Sequence, residues 1–336
     1  MAIELIPQKP TKDFGDYSNL FYGRSKIGKS SLVYSLYKQE VFFIFTEKRY
    51  QHLVGAYLRY CPTWASIKKT LKELDNSTNR SQLKYICIDT VDRAFPMCEE
   101  YILGKFEEEE FGNVEWSKDY SALKKEWFNV ITKIERMGYI PQFVSHEVIV
   151  TNKRMVKDGL SPELEDKARK KDKKTGAIYV EYETKAPNLK DKYLDIITST
   201  VDNIVHLDIV YDGEQEKRVA QYRESLLYMG GCTLKYMPDE VAMDADTIRA
   251  EYNKAIEKEM GVIEEDAKDE AEDTLIPFDE VKEALKGLGR ALIDAGKQKE
   301  LNDLVTHHLG EGHSVSKATE KQLEHLNLLY HDLKEL

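Results

Sequence analysis

Short apolar segments alternate with amphipathic segments along most of the first 230 residues. Seven of these segments are brief, rich in β-branched or aromatic residues and bounded by polar positions: 19–22 (NLFY), 41–45 (VFFIF), 85–88 (YICI), 140–145 (IPQFVS), 177–183, 203–211 and 219–229. The first four predict buried strands of a parallel sheet, because helices cover both faces of such a sheet and leave no polar face. The segments 177–183 and 203–211 predict further strands, and 219–229 is a candidate for another.

The segment between the third and fourth strands predicts a helix. In residues 119–139, apolar side chains recur at helical spacing, and Gly138 follows them as a C-terminal cap. The repeating members of this face are Leu123, Trp127, Val130, Ile131 and Ile134. A strand–helix–strand rhythm of this kind predicts a three-layer α/β core with right-handed crossovers.

The rest of the chain divides by charge. Residues 151–175 carry nine Lys or Arg against five Asp or Glu and lack apolar periodicity, which predicts a long, mobile, basic loop. Residues 1–261 are therefore interpreted as the core, 262–277 as an acidic linker and 278–336 as a helical region. In that region, one helix is predicted from Phe278 and another after a capping box at Thr319 and Gln322.

Composition limits the classes of protein that fit. Across 336 residues, 41% are apolar, which is enough for a sizeable core. The net charge of −11 argues against an overall basic surface, so any nucleic-acid contact must be local. The four cysteines lack zinc-like spacing, which predicts reduced thiols. The absence of a long apolar segment and of a secretory leader predicts a cytoplasmic protein without membrane contact.

Residues 23–30, GRSKIGKS, match the phosphate-binding pattern G-x-x-x-x-G-K-[ST] between a predicted strand and a predicted helix. Glycines let successive N–H groups converge on phosphate oxygens, and the helix N-terminus adds its dipole. Lys29 is expected to bridge the β- and γ-phosphates, and the Ser30 hydroxyl to ligate Mg²⁺. The predicted nucleotide-binding residues are Gly23, Arg24, Ser25, Lys26, Ile27, Gly28, Lys29, Ser30 and Ser31.

Three polar residues follow other predicted strands. Asp89 ends the third strand and is interpreted as a magnesium ligand, with a helix cap as the alternative. Glu47 follows the second strand and is interpreted as the base that activates water, with an ordinary loop glutamate as the alternative. His146 ends the fourth strand and is interpreted either as a γ-phosphate sensor or as a structural histidine. Asp92 is interpreted as a surface or capping residue, with a catalytic role as the alternative.

These segments together resemble a RecA-type ATPase, and specifically the phage-encoded Sak-type single-strand annealing ATPases. GRSKIGKSS resembles the Walker A motif, YICIDTVD the Walker B motif, FIFTEKRYQHL the strand with the catalytic glutamate, and QFVSHE the polar sensor. The resemblance spans about residues 15–245. It implies a RecA-like P-loop NTPase core with a mostly parallel sheet flanked by helices, a C-terminal helical extension, and ATP with Mg²⁺ as cofactors.

The same resemblance implies residue roles and partners. Lys29, Glu47 and His146 become catalytic, and Ser30 with Asp89 becomes the metal site. The basic loop falls where RecA-like proteins contact single-stranded DNA, through Lys153, Arg154, Lys157, Lys167, Arg169, Lys170 and Lys171, with a solvated charged loop as the alternative. A homo-oligomer, ring or filament, is implied, and Arg218 and Arg223 are interpreted as surface residues, with contact to a neighbour's nucleotide as the alternative. The segment EDTLIPFDE is interpreted as a linker running into a helix, with contact with a single-stranded-DNA-binding protein or another recombination factor as the alternative.

Two other functions remain open from the sequence. A P-loop kinase would share the 23–30 motif, although the lysine-dominated segment 151–175 makes a poor arginine-rich lid. A non-catalytic protein could use bound nucleotide only to assemble. A GTP switch is disfavoured, because neither NK dipeptide, at Asn152–Lys153 and Asn253–Lys254, continues to the aspartate of N-K-x-D.

Overall fold

The computed structural model describes residues 14–113, 118–213, 215–260, 275–334 and 336. The strands are β1 (Asn19–Gly23), β2 (Val41–Phe45), β3 (Tyr57–Tyr60), β4 (Tyr85–Asp89), β5 (Ile140–Met155), β6 (Arg169–Lys171), β7 (Ile178–Pro187), β8 (Asn203–Asp212), β9 (Gln215–Gln221), β10 (Gly231–Cys232) and β11 (Glu240–Ala242). The helices are α1 (Lys29–Tyr37), α2 (Trp64–Leu74), α3 (Ser77–Arg80), α4 (Val91–Phe106), α5 (Lys118–Arg136), α6 (Pro162–Glu165), α7 (Asp191–Thr198), α8 (Ala245–Met260), α9 (Phe278–Asp294), α10 (Gln298–Leu309) and α11 (Leu323–Lys334).

The central sheet is mostly parallel and has the order β11-β9-β8-β1-β5-β4-β2-β3. Strands β8, β1, β5, β4, β2 and β3 pair in parallel, and β9 and β11 extend the sheet antiparallel. This arrangement confirms the predicted α/β class, a mostly parallel sheet flanked by helices. The predicted strand 219–229 is wrong in extent, because β9 ends at Gln221 and the following residues form turns.

Alternate residues of each central strand face opposite layers, as a sheet covered on both sides requires. Phe21, Phe43 and Val144 pack into one core with side chains of α1 and α8. Leu20, Ile44 and Phe143 pack into the second core with side chains of α2, α4, α5 and α7. The sheet is therefore the middle of three layers.

The prediction of an irregular loop at 151–175 is wrong for much of that segment. Strand β5 continues past the sheet edge and pairs antiparallel with β7, from Glu147 opposite Pro187 to Met155 opposite Tyr179. Strand β6 adds to the other side of β7. Backbone pairing stabilises this three-stranded extension, hereafter the ribbon (147–187), without the apolar periodicity of a buried strand.

The C-terminal helices form a small core of their own. Helices α9, α10 and α11 enclose a cluster that includes Val281, Leu285 and Leu326. This region meets the layer of α2, α3 and α5 through polar contacts such as Lys72–Glu320 and Arg136–Glu324. Most of the predicted acidic linker, 262–277, lies outside the described residues. None of the described helices combines the length and apolarity needed to cross a bilayer.

Candidate functional site

The parallel register gathers the predicted site residues at one edge of the sheet. Gly23 at the end of β1 pairs with His146 of β5, and Asp89 at the end of β4 pairs with Phe45 of β2. Glu47 lies two residues beyond Phe45. Since the carboxyl ends of parallel strands share an edge, these segments meet around the 23–30 turn.

Two positions in this turn require glycine for different reasons. A Cβ on Gly23 would lie 2.4 Å from the carbonyl oxygen of Leu207 on the neighbouring strand β8. Gly28 has φ 109°, a conformation that residues with a side chain rarely adopt. Ile27 between them is only 2% exposed and anchors the turn in the core. Arg24, Ser25 and Lys26 are exposed, so the turn offers its backbone and polar side chains to solvent.

The N-terminus of α1 offers unpaired donors at the same place. The first four N–H groups of a helix have no intrahelical acceptor, and no side chain caps α1 at Gly28. The Lys29 ammonium lies beneath them and donates to the carbonyl oxygens of Gly23 and Arg24 at 2.9 and 3.0 Å. Burial lowers the pKa of Lys29, and the nearby Asp89 carboxylate opposes that effect. Ser31, the third residue of α1, is exposed.

Ser30 and Asp89 form a pair of oxygen ligands. The Ser30 hydroxyl donates to Oδ2 of Asp89 at 2.5 Å. Burial raises the pKa of Asp89 to about 6, although the hydrogen bond from Ser30 and the charge of Lys29 act in the opposite direction. Within the described residues, no cluster of three or more His, Cys, Asp or Glu side chains forms a complete metal site. A cation at this pair would therefore need further oxygens, such as those of phosphates.

These residues line a single cleft with a volume of about 580 Å³. Its walls are Ser25, Lys26, Gly28, Lys29, Ser30, Ser31, Phe45, Glu47, Arg49, His52, Asp89, Thr90 and His146. The Glu47 side chain is 15% exposed and lies between two arginines. Nε of Arg93 is 3.1 Å from Oε1 of Glu47, and Nε of Arg49 is 3.4 Å from Oε2.

His146 is held by a residue on α4. The Asp92 carboxylate accepts the backbone N–H of His146 at 3.0 Å and contacts its Nδ1 at 2.9 Å. Burial alone would raise the pKa of Asp92, but its hydrogen bonds with His146 lower it below the usual value. The interpretation of Asp92 as a surface or capping residue is therefore wrong, because its side chain is only 6% exposed and bonds across to β5.

The predicted DNA-binding residues lie along the ribbon and the segment between β5 and β6, and all seven are exposed. Some have partners within this region. Lys170 forms an ion pair with Glu181, and the Lys153 ammonium lies 4.7 Å from the centre of the Tyr179 ring. Because β5 carries both His146 and the start of the ribbon, one continuous strand joins the cleft to the basic surface.

The two arginines considered for a neighbour's site bond within their own chain. Nη1 of Arg218 donates to the carbonyl oxygen of Ile27 at 3.3 Å, beneath the phosphate-binding turn. Arg223 donates to the carbonyl oxygens of Cys232, Leu234, Lys235 and Met237. Arg223 therefore organises the turns after β9. The sequence analysis did not identify Arg49, His52 or Arg93 as site residues. Of these three, only Arg93 has a signal in the sequence, which is its position shortly after Asp89.

Comparison with known proteins identifies the family. The sequence matches the family model AAA_24, described as an AAA domain, over residues 16–233, which is more than half of the chain. The chain belongs to this AAA domain family. The matched range contains every predicted site residue and the whole ribbon.

Individual relatives are distant. An SPbeta prophage-derived uncharacterized protein, YorG, of Bacillus subtilis (strain 168) is 23% identical over 333 residues and covers 94% of this chain and 92% of its own. A KaiC-like protein from Pyrococcus horikoshii OT3 is 11% identical, covering 62% of this chain and 79% of its own, with a TM-score of 0.31. The flagellar accessory protein FlaH from Methanocaldococcus jannaschii is 12% identical, covering 67% of this chain and 83% of its own, with a TM-score of 0.32.

Proposed function

We propose that this AAA-domain protein binds ATP with Mg²⁺ and hydrolyses it, and that single-stranded DNA stimulates the hydrolysis during phage recombination or strand annealing. The observation that carries the proposal is the placement of Lys29, Ser30, Asp89 and Glu47 around one cleft. A triphosphate and a cation need a lysine, a hydroxyl and a carboxylate together, and hydrolysis needs a second carboxylate for the water.

The residues present fit a nucleotide and its cation. The N–H groups at the start of α1 and the Lys29 ammonium would bind the phosphates, and Gly28 permits the positive φ of the turn that precedes them. The Ser30 and Asp89 oxygens would hold Mg²⁺, which prefers oxygen ligands and shares them with phosphate. When bound, Mg²⁺ supplies charge neutralisation at the transferring phosphoryl group.

Glu47 is the proposed base and His146 the proposed sensor. A carboxylate that accepts one hydrogen bond retains free lone pairs, so Glu47 can still accept a proton from water while Arg93 donates to one oxygen and Arg49 forms an ion pair with the other. His146 lines the same cleft and begins the path along β5 into the ribbon. A change at the γ-phosphate position would therefore reach the basic surface through one strand.

Charge and origin support the DNA assignment. The exposed lysines and arginines of the ribbon suit a sequence-independent, salt-sensitive contact with phosphates, although the chain as a whole is acidic. The prophage-derived relative favours a phage setting, and hence the cytoplasm of a bacterial host. We further propose assembly into a homo-oligomer, ring or filament, and an additional contact with a single-stranded-DNA-binding protein or other recombination factor through the C-terminal region.

ATPase assays with and without single-stranded DNA at two salt concentrations test the proposal. Lys29→Ala is expected to lose nucleotide affinity, and Glu47→Gln to keep affinity but lose about 100-fold or more in kcat. Stimulation by DNA should fade as salt rises. Turnover that ignores DNA at low salt would contradict the coupling. Full activity of a protein with Glu47→Gln would point instead to a nucleotide-dependent assembly factor, and transfer of phosphate to an added nucleoside monophosphate to a kinase.

The ribbon is tested separately. Replacing Lys167, Arg169 and Lys171 together with serine should weaken binding to single-stranded DNA and reduce the salt slope, by about 2 if each contacts one phosphate. A matched triple, Lys299, Lys317 and Lys321 to serine, removes the same charge from exposed positions of the C-terminal region. Equal effects of the two triples would show that net charge, rather than the ribbon, governs binding.

A further inference from the structure

The first turn of α4 follows directly on Asp89 and carries two adjacent residues that reach different parts of the cleft. Asp92 bonds to His146 on β5, and Arg93 bonds to Glu47 beyond β2. Successive residues on a helix point about 100° apart, so one turn can contact both neighbouring strand ends at once. The strand order places β4 between β2 and β5, so this turn lies between the two residues that it contacts.

Asp92 determines how the His146 ring is presented. An ionised carboxylate can only accept hydrogen bonds, so Nδ1 of His146 must carry the hydrogen in the 2.9 Å contact. The second bond, from the backbone N–H of His146 at 3.0 Å, fixes the carboxylate itself. With Nδ1 engaged, Nε2 is the ring nitrogen left for a ligand in the cleft. Ring orientation and tautomer are therefore set from α4 and not from β5.

Arg93 limits the freedom of Glu47. Glu47 lies in irregular backbone after β2, where a long side chain has many rotamers to sample. The contact from Nε of Arg93 at 3.1 Å ties one carboxylate oxygen to a helix that is anchored in the core through Val91 and Phe95. The Arg93 side chain is 63% exposed, and ion pairs of this kind add little to stability. What the contact supplies is orientation of the carboxylate.

We propose that Asp92 and Arg93 are positioning residues that align the sensor and the base on the same bound nucleotide. The inference rests on the proposed ATPase function. It adds that the turn after Asp89 links three components of the site, because the metal ligand, the orienter of His146 and the orienter of Glu47 lie within five residues. Neither side chain belongs to the phosphate-binding turn, so their removal should leave nucleotide affinity intact.

A purely structural role makes different predictions. An acid in the first turn of a helix stabilises it through the helix dipole, whichever residue it faces. If Asp92 did only that, Asp92→Asn would lower stability slightly and leave turnover per folded molecule unchanged. If Arg93 formed only a surface ion pair, Arg93→Ala would change neither stability nor turnover. The positioning role and the purely structural role predict different values of kcat at saturating ATP. The affinity for a non-hydrolysable ATP analogue is measured alongside.

The Arg93 experiment compares Arg93→Ala, Arg93→Lys and a control, Arg59→Ala. Arg59 is a partly exposed arginine paired with Glu73 at the far edge of the sheet. We expect Arg93→Ala to lower kcat by about 10- to 100-fold with KM for ATP and analogue affinity within about twofold, as misplacement of a reacting group would. Arg93→Lys should recover part of that loss, and Arg59→Ala should behave as the wild type.

The Asp92 experiment is a double-mutant cycle with His146. Asp92→Asn and His146→Ala should each lower the DNA-stimulated kcat, and the double variant should be no slower than the slower single variant. Full additivity would overturn the Asp92 assignment. Wild-type kcat in Arg93→Ala, with Glu47→Gln inactive, would overturn the Arg93 assignment and leave the proposed function standing. Activity in Glu47→Gln would instead defeat the proposed function itself.

Discussion

Nε2 of His206 on β8 lies 2.7 Å from Oε2 of Glu147 on β5, across the phosphate-loop strand β1 that separates the two strands. The other ring nitrogen, Nδ1, lies 2.8 Å from Oε1 of Gln221. The amide nitrogen of Gln221 donates to Glu240, which fixes the orientation of that amide. The buried ring is therefore held between Glu147 and Gln221 through both of its nitrogens.

This pair predicts a large stability effect. His206→Ala leaves the mostly buried Glu147 carboxylate without its partner and should lower the free energy of unfolding by about 3 kcal/mol. Urea unfolding measures the change. The double variant His206→Ala with Glu147→Ala removes both partners and should recover part of the loss, because a buried polar group left without its partner is the costly element. A double variant less stable than the sum of both single changes would contradict the pairing.

Gly23 predicts a steric effect on the phosphate-binding turn. Gly23→Ala would place a Cβ 2.4 Å from the backbone oxygen of Leu207, and backbone cannot yield as a flexible side chain can. We expect a loss of about 1–3 kcal/mol in stability together with weaker binding of a fluorescent ATP analogue. Gly104→Ala is the control. Gly104 lies within α4 with no atom within 4 Å of an added Cβ, so alanine there should be neutral or stabilising by up to about 1 kcal/mol.

The raised pKa of Asp89 predicts a pH-dependent cost in the metal-free protein. With a pKa of about 6 when folded and 3.8 as the ordinary value, the folded state holds a proton between these values that the unfolded state releases. The stability contributed by this group is therefore lost as the pH rises from 3.8 to about 6, and the full cost of the ionised carboxylate remains at higher pH. Asp89→Asn should be more stable than the wild type at pH 8 in EDTA, by about 3 kcal/mol at most, and the gain should shrink towards pH 4. Thermal unfolding at several pH values measures the difference, and a pH-independent gain would contradict this origin.

The hydrogen bonds of Asn327 predict that this residue stabilises the packing of the C-terminal helices. Its buried amide donates to the carbonyl oxygens of Ile276 and Leu323 and accepts the N–H of Ile276 at 2.7 Å. Asn327→Ala leaves the Ile276 backbone unpaired and should cost about 1–3 kcal/mol, seen as faster hydrogen exchange within 276–334. Nucleotide affinity should be unchanged. The exposed Asn302 on α10 offers a control, since Asn302→Ala should not accelerate exchange.

Much of the core could be predicted because its strands and its phosphate-binding motif are indicated by local sequence patterns. Apolar runs such as 41–45 and 85–88 indicate strands wherever they occur, and the spacing of Gly23, Gly28, Lys29 and Ser30 fits a phosphate far better than chance. The continuation of β5 into the ribbon was missed for a physical reason, although the segment 177–183 indicated part of β7. The strands of the ribbon pair with each other beyond the sheet edge, so no burial pattern marks residues 151–155, and their charges resemble those of a loop.

The sequence by itself therefore determined the strand–turn–helix of residues 19–37, the parallel sheet, and the acids that follow its strands. Only the tertiary structure decided that Asp92 bonds to His146, that Arg93 bonds to Glu47 and that Glu147 contacts His206. These partners are 46 to 59 residues apart. Strand order and register bring them together, and no local pattern encodes which strand ends become neighbours, because that choice is made by packing of the whole sheet between its helices.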